Sequence, residues 1–294
     1  MKYNIPNTIL TFKRQPKSDF SFIEDNIKLE YKFCNKYIDN DQEHQNCYCK
    51  SEKVYNRYKD ILPFEYNKIE INKENEGNHY INASGINAYH KNYFIATQGP
   101  KPETIKDFWT MIDEQGCKII IMLCQLEENK KKKCENYWIT EFAHDIEEYD
   151  ETKWIFRQMK HKDLKSGEDR TITQLHFTEW KDKDVPEEEF DKFIDAFEFI
   201  DRGRKNNKNN QDTPVVVHCS AGVGRTGTFI AMYYLYKEIL GQIKQNKNEI
   251  TFNIFNLVRK LKEMRAHLVQ TEEQYIFLYK FVQYLLNKKL IKID

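Results

Sequence analysis

The run Val215-Val216-Val217-His218, followed at once by Cys219-Ser220-Ala221-Gly222-Val223-Gly224-Arg225-Thr226-Gly227, constrains the fold more than any other part of the chain. Three consecutive β-branched residues favour a buried strand. Phe229, Met232, Tyr233, Tyr236 and Leu240 then recur at helical spacing, so the glycine-rich stretch must turn a strand directly into a helix. Two nucleotide-binding readings of these glycines fail on context. The pattern satisfies G-x-G-x-x-G, but the residues downstream continue the helix, and no second strand ending in an acidic residue follows. A nucleotide P-loop needs Lys and Ser/Thr after its last glycine, where this chain has Thr228 and Phe229. What remains is a cysteine, five residues and an arginine at the start of a helix. Amides of such a loop curl around a tetrahedral oxyanion, and the helix N-terminus adds partial positive charge.

A free cysteine titrates near pH 8.5, but a helix N-terminus and a neighbouring cation lower that value by up to several units. Cys219 is therefore a candidate thiolate nucleophile. Arg225 carries a permanent charge on a planar fork that grips two oxygens of one phosphoryl group, which a lysine does not. The blander reading, a structural cysteine in a tight turn, does not explain the strand, the glycines and the arginine together.

Composition limits the alternatives. The chain has 294 residues, 46 Lys+Arg against 46 Asp+Glu, and zero formal charge. That balance argues against a generally basic binder of nucleic acid or membrane surfaces. Mean hydropathy is low at −0.80, yet 14% of residues are aromatic, which a disordered chain would lack. The longest apolar run, Ile119 to Cys124, is far too short to span a bilayer, and the first residues lack the apolar stretch of a secretory signal. A cytoplasmic chain without a membrane span is expected. Seven cysteines, an odd and scattered set, predict reduced thiols in place of a disulfide framework. Cys47-Tyr48-Cys49, with His44 and Cys34 nearby, lacks the two-residue gap of common zinc sites, so no metal is expected.

Periodicity sketches the remaining elements. A helix is predicted over Ser18–Cys34 with Ser18 or Asp19 as its cap, followed by a polar stretch from Asp39 to Ser51. Strand-like runs lie near 67–71, 79–86 and 93–97. Ile105, Phe108, Trp109 and Ile112 mark a helix stopped by Gly116, and 118–124 reads as a buried strand. A hairpin is predicted within 154–180 around Gly167. A helix follows Pro186, with Phe190, Phe193, Ile194, Phe197 and Ile200 on one face. Asp201–Thr213 reads as a loop, and Lys130–Lys133 as a solvated one. Two closing helices carry Ile254, Leu257, Val258 and Leu261, then Tyr275, Leu278, Tyr279, Val282 and Leu285. The economical architecture is α/β: a twisted central mixed sheet with helices on both faces and the anion loop between a central strand and a helix.

The chain also carries Asn56-Arg57-Tyr58-Lys59-Asp60-Ile61, Tyr80-Ile81-Asn82-Ala83-Ser84, Ile95-Ala96-Thr97-Gln98-Gly99-Pro100, Lys133-Cys134-Glu135-Asn136-Tyr137-Trp138 and Val269-Gln270-Thr271-Glu272-Glu273-Gln274-Tyr275. With the Cys219 loop, these resemble the motifs of a classical protein tyrosine phosphatase of the non-receptor type, in that family's order and from about Lys53 to Leu286. The resemblance implies a Cys-based catalytic domain over 53–294, with 1–52 as a helical lead-in packed on it. It implies hydrolysis of phosphotyrosine-containing proteins by a monomeric domain, with no cofactor.

Residue by residue, the resemblance makes Cys219 the nucleophile of a phosphocysteine intermediate. Ser220, Ala221, Gly222, Val223, Gly224 and Arg225 hold the phosphate, and Thr226 hydrogen-bonds the sulfur. Tyr58 matches an aromatic wall, Asp60 a carboxylate that orients the peptide backbone, and Ile61 their neighbour in the substrate pocket. Asp182 matches the general acid and base, and Gln270 the residue that positions water. His218 and Tyr137 match a supporting hydrogen bond, Lys133 a position facing the aspartate loop, and Gln274 a supporting residue. A wall at fixed height favours phosphotyrosine over the shorter phosphoserine.

The chain departs from the family in two places, the loop around Asp182 and His267. Lys181 stands where proline is usual, and Lys183 and Asp184 where His and Gly are. A less preset loop with Lys183 beside Asp182 is expected to slow turnover while binding survives; a Lys181→Pro variant with wild-type turnover would contradict this. His267 replaces a common glycine and is expected to narrow the pocket rim, so unchanged peptide acceptance in His267→Gly would count against it. These departures keep a phosphotyrosine-binding pseudophosphatase as an alternative, and a dual-specificity or phosphoinositide phosphatase is a third reading that the Tyr58 motif disfavours.

Overall fold

The computed structural model describes residues 10–13, 24–39, 53–72, 80–88, 94–151, 153–181, 184–186, 189–205, 213–245 and 249–287. In chain order the strands and helices are β1 (Leu10–Lys13), α1 (Glu24–Asp39), β2 (Lys68–Glu70), β3 (Tyr80–Ile86), β4 (Phe94–Thr97), α2 (Ile105–Glu114), β5 (Ile119–Met122), β6 (Glu127–Glu128), β7 (Lys131–Lys132), β8 (Ala143–Glu151), β9 (Trp154–Lys162), β10 (Asp169–Phe177), α3 (Phe190–Lys205), β11 (Val215–His218), α4 (Gly224–Lys244), β12 (Glu249–Phe252), α5 (Ile254–Met264) and α6 (Glu272–Asn287).

Eight strands form one mixed sheet in the order β2-β3-β4-β11-β5-β10-β9-β8. The valine run is central: β11 lies parallel to both β4 and β5. All three strands are buried along their length, as expected of parallel strands covered on both faces. The antiparallel flanks alternate. Trp154 and Phe156 of β9 meet Phe193 and Phe199 of α3, whereas Arg157 sits over Trp138 and His161 stacks on Trp109 of α2. Helices therefore cover opposite faces, and the period of two in β9 decides which side chain meets which. α3 approaches closely: a Cβ on Gly203 would lie 2.7 Å from Ile119 Cδ1.

The structure corrects several sequence expectations. α3 runs to Lys205, so Asp201–Lys205 is helix where a loop was expected; 206–212 lie outside the described residues. The lysine run is solvated over Lys130–Lys132, as expected, but it is not a loop: Lys131–Lys132 pair with Glu127–Glu128 in a ribbon, and Lys133 is buried. β8 was not anticipated, because its acidic sequence AHDIEEYDE shows no apolar period. It occupies the sheet edge, where charge blocks further pairing. The ribbon of β1 and β12 was likewise unforeseen. α4 is buried almost all round instead of on one face. α1 continues past Cys34 to Asp39, while its expected cap, residues 40–51 and the Cys47-Tyr48-Cys49 group lie outside the described residues.

Candidate active site

The site forms where β11 hands over to α4. Gly222 has φ 71°, and a Cβ there would lie 2.1 Å from the Thr97 carbonyl oxygen, so only glycine closes this turn. Gly227 sits where a Cβ would come within 2.5 Å of the Val269 amide nitrogen, which lets the first turn of α4 pack on the 268–269 backbone. Val223 occupies the N-cap of α4 and offers no side-chain cap. The orphan amides of that turn are left for an anion.

Cys219 is only 3% exposed at the floor of this turn. Burial is the largest single influence and opposes ionisation, but the Arg225 charge, the Thr226 hydroxyl and the amides of Thr226 and Gly222 outweigh it and lower the thiol pKa. The Thr226 Oγ1 atom is buried without a well-formed hydrogen bond, so the sulfur is the group its dipole serves. Among the other described cysteines, burial pushes Cys34 up to about 11 and Cys117 to about 12, and Cys124 also rises. Those three thiols are raised where Cys219 is lowered.

Behind Cys219 runs a chain of buried polar groups. Arg157 Nη1 donates to Gln174 Oε1 (2.7 Å), Gln174 Nε2 donates to the Tyr137 hydroxyl (2.6 Å), and that hydroxyl lies 2.8 Å from His218 Nε2. Because the hydroxyl accepts from Gln174, its proton points to His218, whose Nδ1 lies 3.2 Å from the Cys219 carbonyl. Burial pushes His218 down to about 3, so this histidine is neutral and structural.

Arg225 is 2% exposed. Its Nη1 donates to Glu128 Oε1 (2.6 Å) and to the Trp180 carbonyl (2.7 Å), and Nη2 donates to Glu128 Oε2 (3.2 Å). The guanidinium is thus aimed by the β6–β7 ribbon and tied to the segment before Asp182. Asp182 and Lys183 lie outside the described residues. Their neighbours are fixed: Trp180 is buried and its Nε1 donates to the Asp184 carbonyl (2.7 Å).

The pocket wall comes from residues 56–61. Arg57 donates from Nε to the Gly99 carbonyl (3.0 Å) and from Nη2 to the Pro100 carbonyl (2.6 Å), and its amide donates to Gln98 Oε1 (2.8 Å). This fixes Tyr58, which is 37% exposed and whose hydroxyl meets Ser220 Oγ at 2.9 Å. Ser220 in turn donates to the Lys133 carbonyl (3.0 Å). Tyr58, Asp60 and Ile61, then Cys219, Ser220, Ala221, Gly224 and Arg225, and finally Gln270 and Gln274 line one cavity of about 250 Å³. Gln274 belongs to a capping box on α6: Thr271 Oγ1 accepts from its amide (3.2 Å), and its Oε1 accepts from the amides of Thr271 (3.3 Å) and Gln270 (2.9 Å). His267 is exposed, with φ 63°, and lies outside this lining, so any restriction it imposes acts at the outer rim.

Sequence reading missed Glu128, Arg265 and the role of Asn82. Arg265 is fully buried and donates from Nε to the Gly222 carbonyl (2.9 Å) and from Nη2 to the Ala221 carbonyl (3.2 Å) and Asn82 Oδ1 (2.6 Å). Burial lowers its pKa to about 10, which leaves it charged. By holding loop carbonyls outward it turns their amides toward the anion position. Asn82 also donates to the Ile61 carbonyl (2.7 Å) and so couples the wall to the loop. No spacing rule finds these residues, since their partners lie in other elements.

A family profile described as protein-tyrosine phosphatase matches residues 52–284. The chain is 38% identical over 233 residues to human receptor-type tyrosine-protein phosphatase eta, an alignment covering 76% of this chain and 17% of that protein. It is 38% identical over 239 residues to chicken receptor-type tyrosine-protein phosphatase S, covering 77% and 15%. The chain thus spans less than a fifth of the length of these relatives. Among solved structures, one of the catalytic domain of human protein tyrosine phosphatase non-receptor type 18 superposes with a TM-score of 0.72 at 28% identity, covering 89% of this chain and 96% of that one. A structure of PTPN18 in complex with HER2-pY1196 phosphopeptides gives a TM-score of 0.74 at 29% identity, covering 89% and 93%.

Proposed function

The chain belongs to the protein-tyrosine phosphatase family, and from that premise we propose that it hydrolyses phosphotyrosine in proteins through a phosphocysteine intermediate. The observation that carries the reading is a buried thiol of lowered pKa at an uncapped helix start, beside Arg225 and beneath the Tyr58 wall. The Cys219 thiolate attacks phosphorus and the bond to the tyrosyl oxygen breaks. Asp182 gives its proton to that oxygen, whose conjugate acid has a pKa near 10. Water positioned by Gln270 then attacks phosphorus, its proton passes to Asp182, and the P–S bond breaks to release phosphate and thiolate. Amides of 220–225 and the Arg225 fork stabilise the charge that develops at the phosphoryl oxygens. Every bond and proton in this cycle is accounted for by the protein, the substrate and water.

No helix among the described residues is long and apolar enough to cross a membrane. Five described cysteines are free, which supports a reducing, cytoplasmic setting.

The reach of the substrate side chain sets the test. Matched peptides carrying phosphotyrosine or phosphothreonine are expected to differ by about a hundredfold or more in kcat/KM, because the shorter side chain leaves phosphorus out of reach of sulfur. Comparable values for the two peptides would contradict tyrosine specificity.

A further inference from the structure

The backbone between α5 and α6 is held in a conformation it would not keep unaided. His267 and Val269 have φ 63° and 58°, a region that residues with a Cβ occupy only where their surroundings impose it. Four contacts do so around Gln270. The Val269 amide donates to the Val223 carbonyl (3.3 Å), Lys262 Nζ donates to the Val269 carbonyl (3.1 Å), and Gln274 Oε1 accepts from the Gln270 amide (2.9 Å). The fourth is the Tyr31 hydroxyl, which donates to the Gln270 carbonyl (2.5 Å).

Tyr31 differs from the other three in origin. It sits on α1, outside the 52–284 segment shared with the family. It is also firmly seated. The side chain is 7% exposed, its ring lies 5.4 Å from that of Tyr275, and Lys262 Nζ is 5.7 Å from its centroid. The adjacent Glu30 accepts hydrogen bonds from the hydroxyls of Tyr275 and Tyr279 and locks α1 to α6. Burial pushes the Tyr31 hydroxyl up to about 12, so it remains a donor throughout the working range.

We propose that Tyr31 is a positioning residue: by fixing the Gln270 carbonyl it sets the backbone from which the Gln270 side chain reaches the cavity, and so tunes the attack of water on the phosphocysteine. This inference rests on the reading of Gln270 as the residue that positions water. A role confined to docking α1 would change stability, or slow both chemical steps alike. A role through Gln270 slows only the second.

The test uses the full chain with p-nitrophenyl phosphate in a stopped-flow assay, comparing wild type, Tyr31→Phe, Gln270→Ala and the double variant. Phenylalanine keeps the ring packing and removes only the hydroxyl. Because kcat/KM covers steps up to departure of the leaving group, while breakdown of the phosphocysteine enters kcat, the two parameters separate the roles. Tyr31→Phe is expected to lower kcat about fivefold, the scale of one net hydrogen bond, with kcat/KM within about twofold of wild type. Its product burst should rise, and the double variant should be no slower than Gln270→Ala. An unchanged kcat, or an equal fall in kcat and kcat/KM, alongside a selective second-step defect in Gln270→Ala, would overturn the role of Tyr31 alone. Absence of that defect in Gln270→Ala would overturn the reading of Gln270 and the inference with it.

Discussion

Cys219→Ser is expected to remove turnover of aryl phosphates, by a factor on the order of 10⁴ or more, while the protein still folds and still binds inorganic phosphate. Several features at this position act on ionisation. The Arg225 charge, the Thr226 hydroxyl and the amides of Thr226 and Gly222 bring the thiol pKa down against the cost of burial. A serine hydroxyl starts so much higher that the same surroundings do not ionise it at neutral pH. The loop proposed to hold phosphate does so with backbone amides, and its shape depends on Gly222 and on Arg265, neither of which the substitution touches. Turnover and phosphate affinity, measured together, should therefore part company. A serine variant within tenfold of wild type would show that the nucleophile lies elsewhere.

Arg225→Lys is expected to lower kcat by about 10²- to 10³-fold, the range seen when a single transition-state donor is lost, although formal charge is conserved. The fork is held at three points, Glu128 Oε1, Glu128 Oε2 and the Trp180 carbonyl, and a point charge on a flexible stem does not reproduce that geometry. Glu128 would keep its carboxylate with a less well-placed cation, and the thiol pKa should rise because the Arg225 charge is the largest of the influences that lower it. Steady-state kinetics with an aryl phosphate, run as a pH series, read both effects: a smaller kcat and an acid limb displaced upward. A lysine variant with wild-type kcat would contradict a bidentate role.

The sequence and the structure agree best where one local signal decides the outcome. Val215–Val217 could only be buried, Gly222 and Gly227 could only be glycine, and the apolar stripes of α2, α3, α5 and α6 each declared a helix. Fold class was legible because these signals alternate along the chain. Where local pattern and tertiary role diverge, the reading failed. β8 is too acidic to look like a strand, and its place at the sheet edge supplies what its side chains do not. Asp201–Lys205 looks like loop, yet the packing of Gly203 on Ile119 carries α3 through it. The lysines of 130–133 look like loop, yet Lys131–Lys132 pair with Glu127–Glu128 in a ribbon whose Glu128 holds Arg225. In the site, the residues on the Cys219 loop were visible because the loop is contiguous. Glu128, Arg265 and Tyr31 act from separate elements on backbone or side chains that sequence spacing does not bring together.

The rate of Cys219 alkylation by iodoacetamide as a function of pH, mapped by peptide mass spectrometry so that other thiols do not contribute, tests the ionised nucleophile most directly. An inflection well below the ordinary cysteine value of about 8.5, suppressed by inorganic phosphate or vanadate, is the expected result. An inflection at or above that value, or full reactivity in the presence of vanadate, would contradict a thiolate seated in an oxyanion cup.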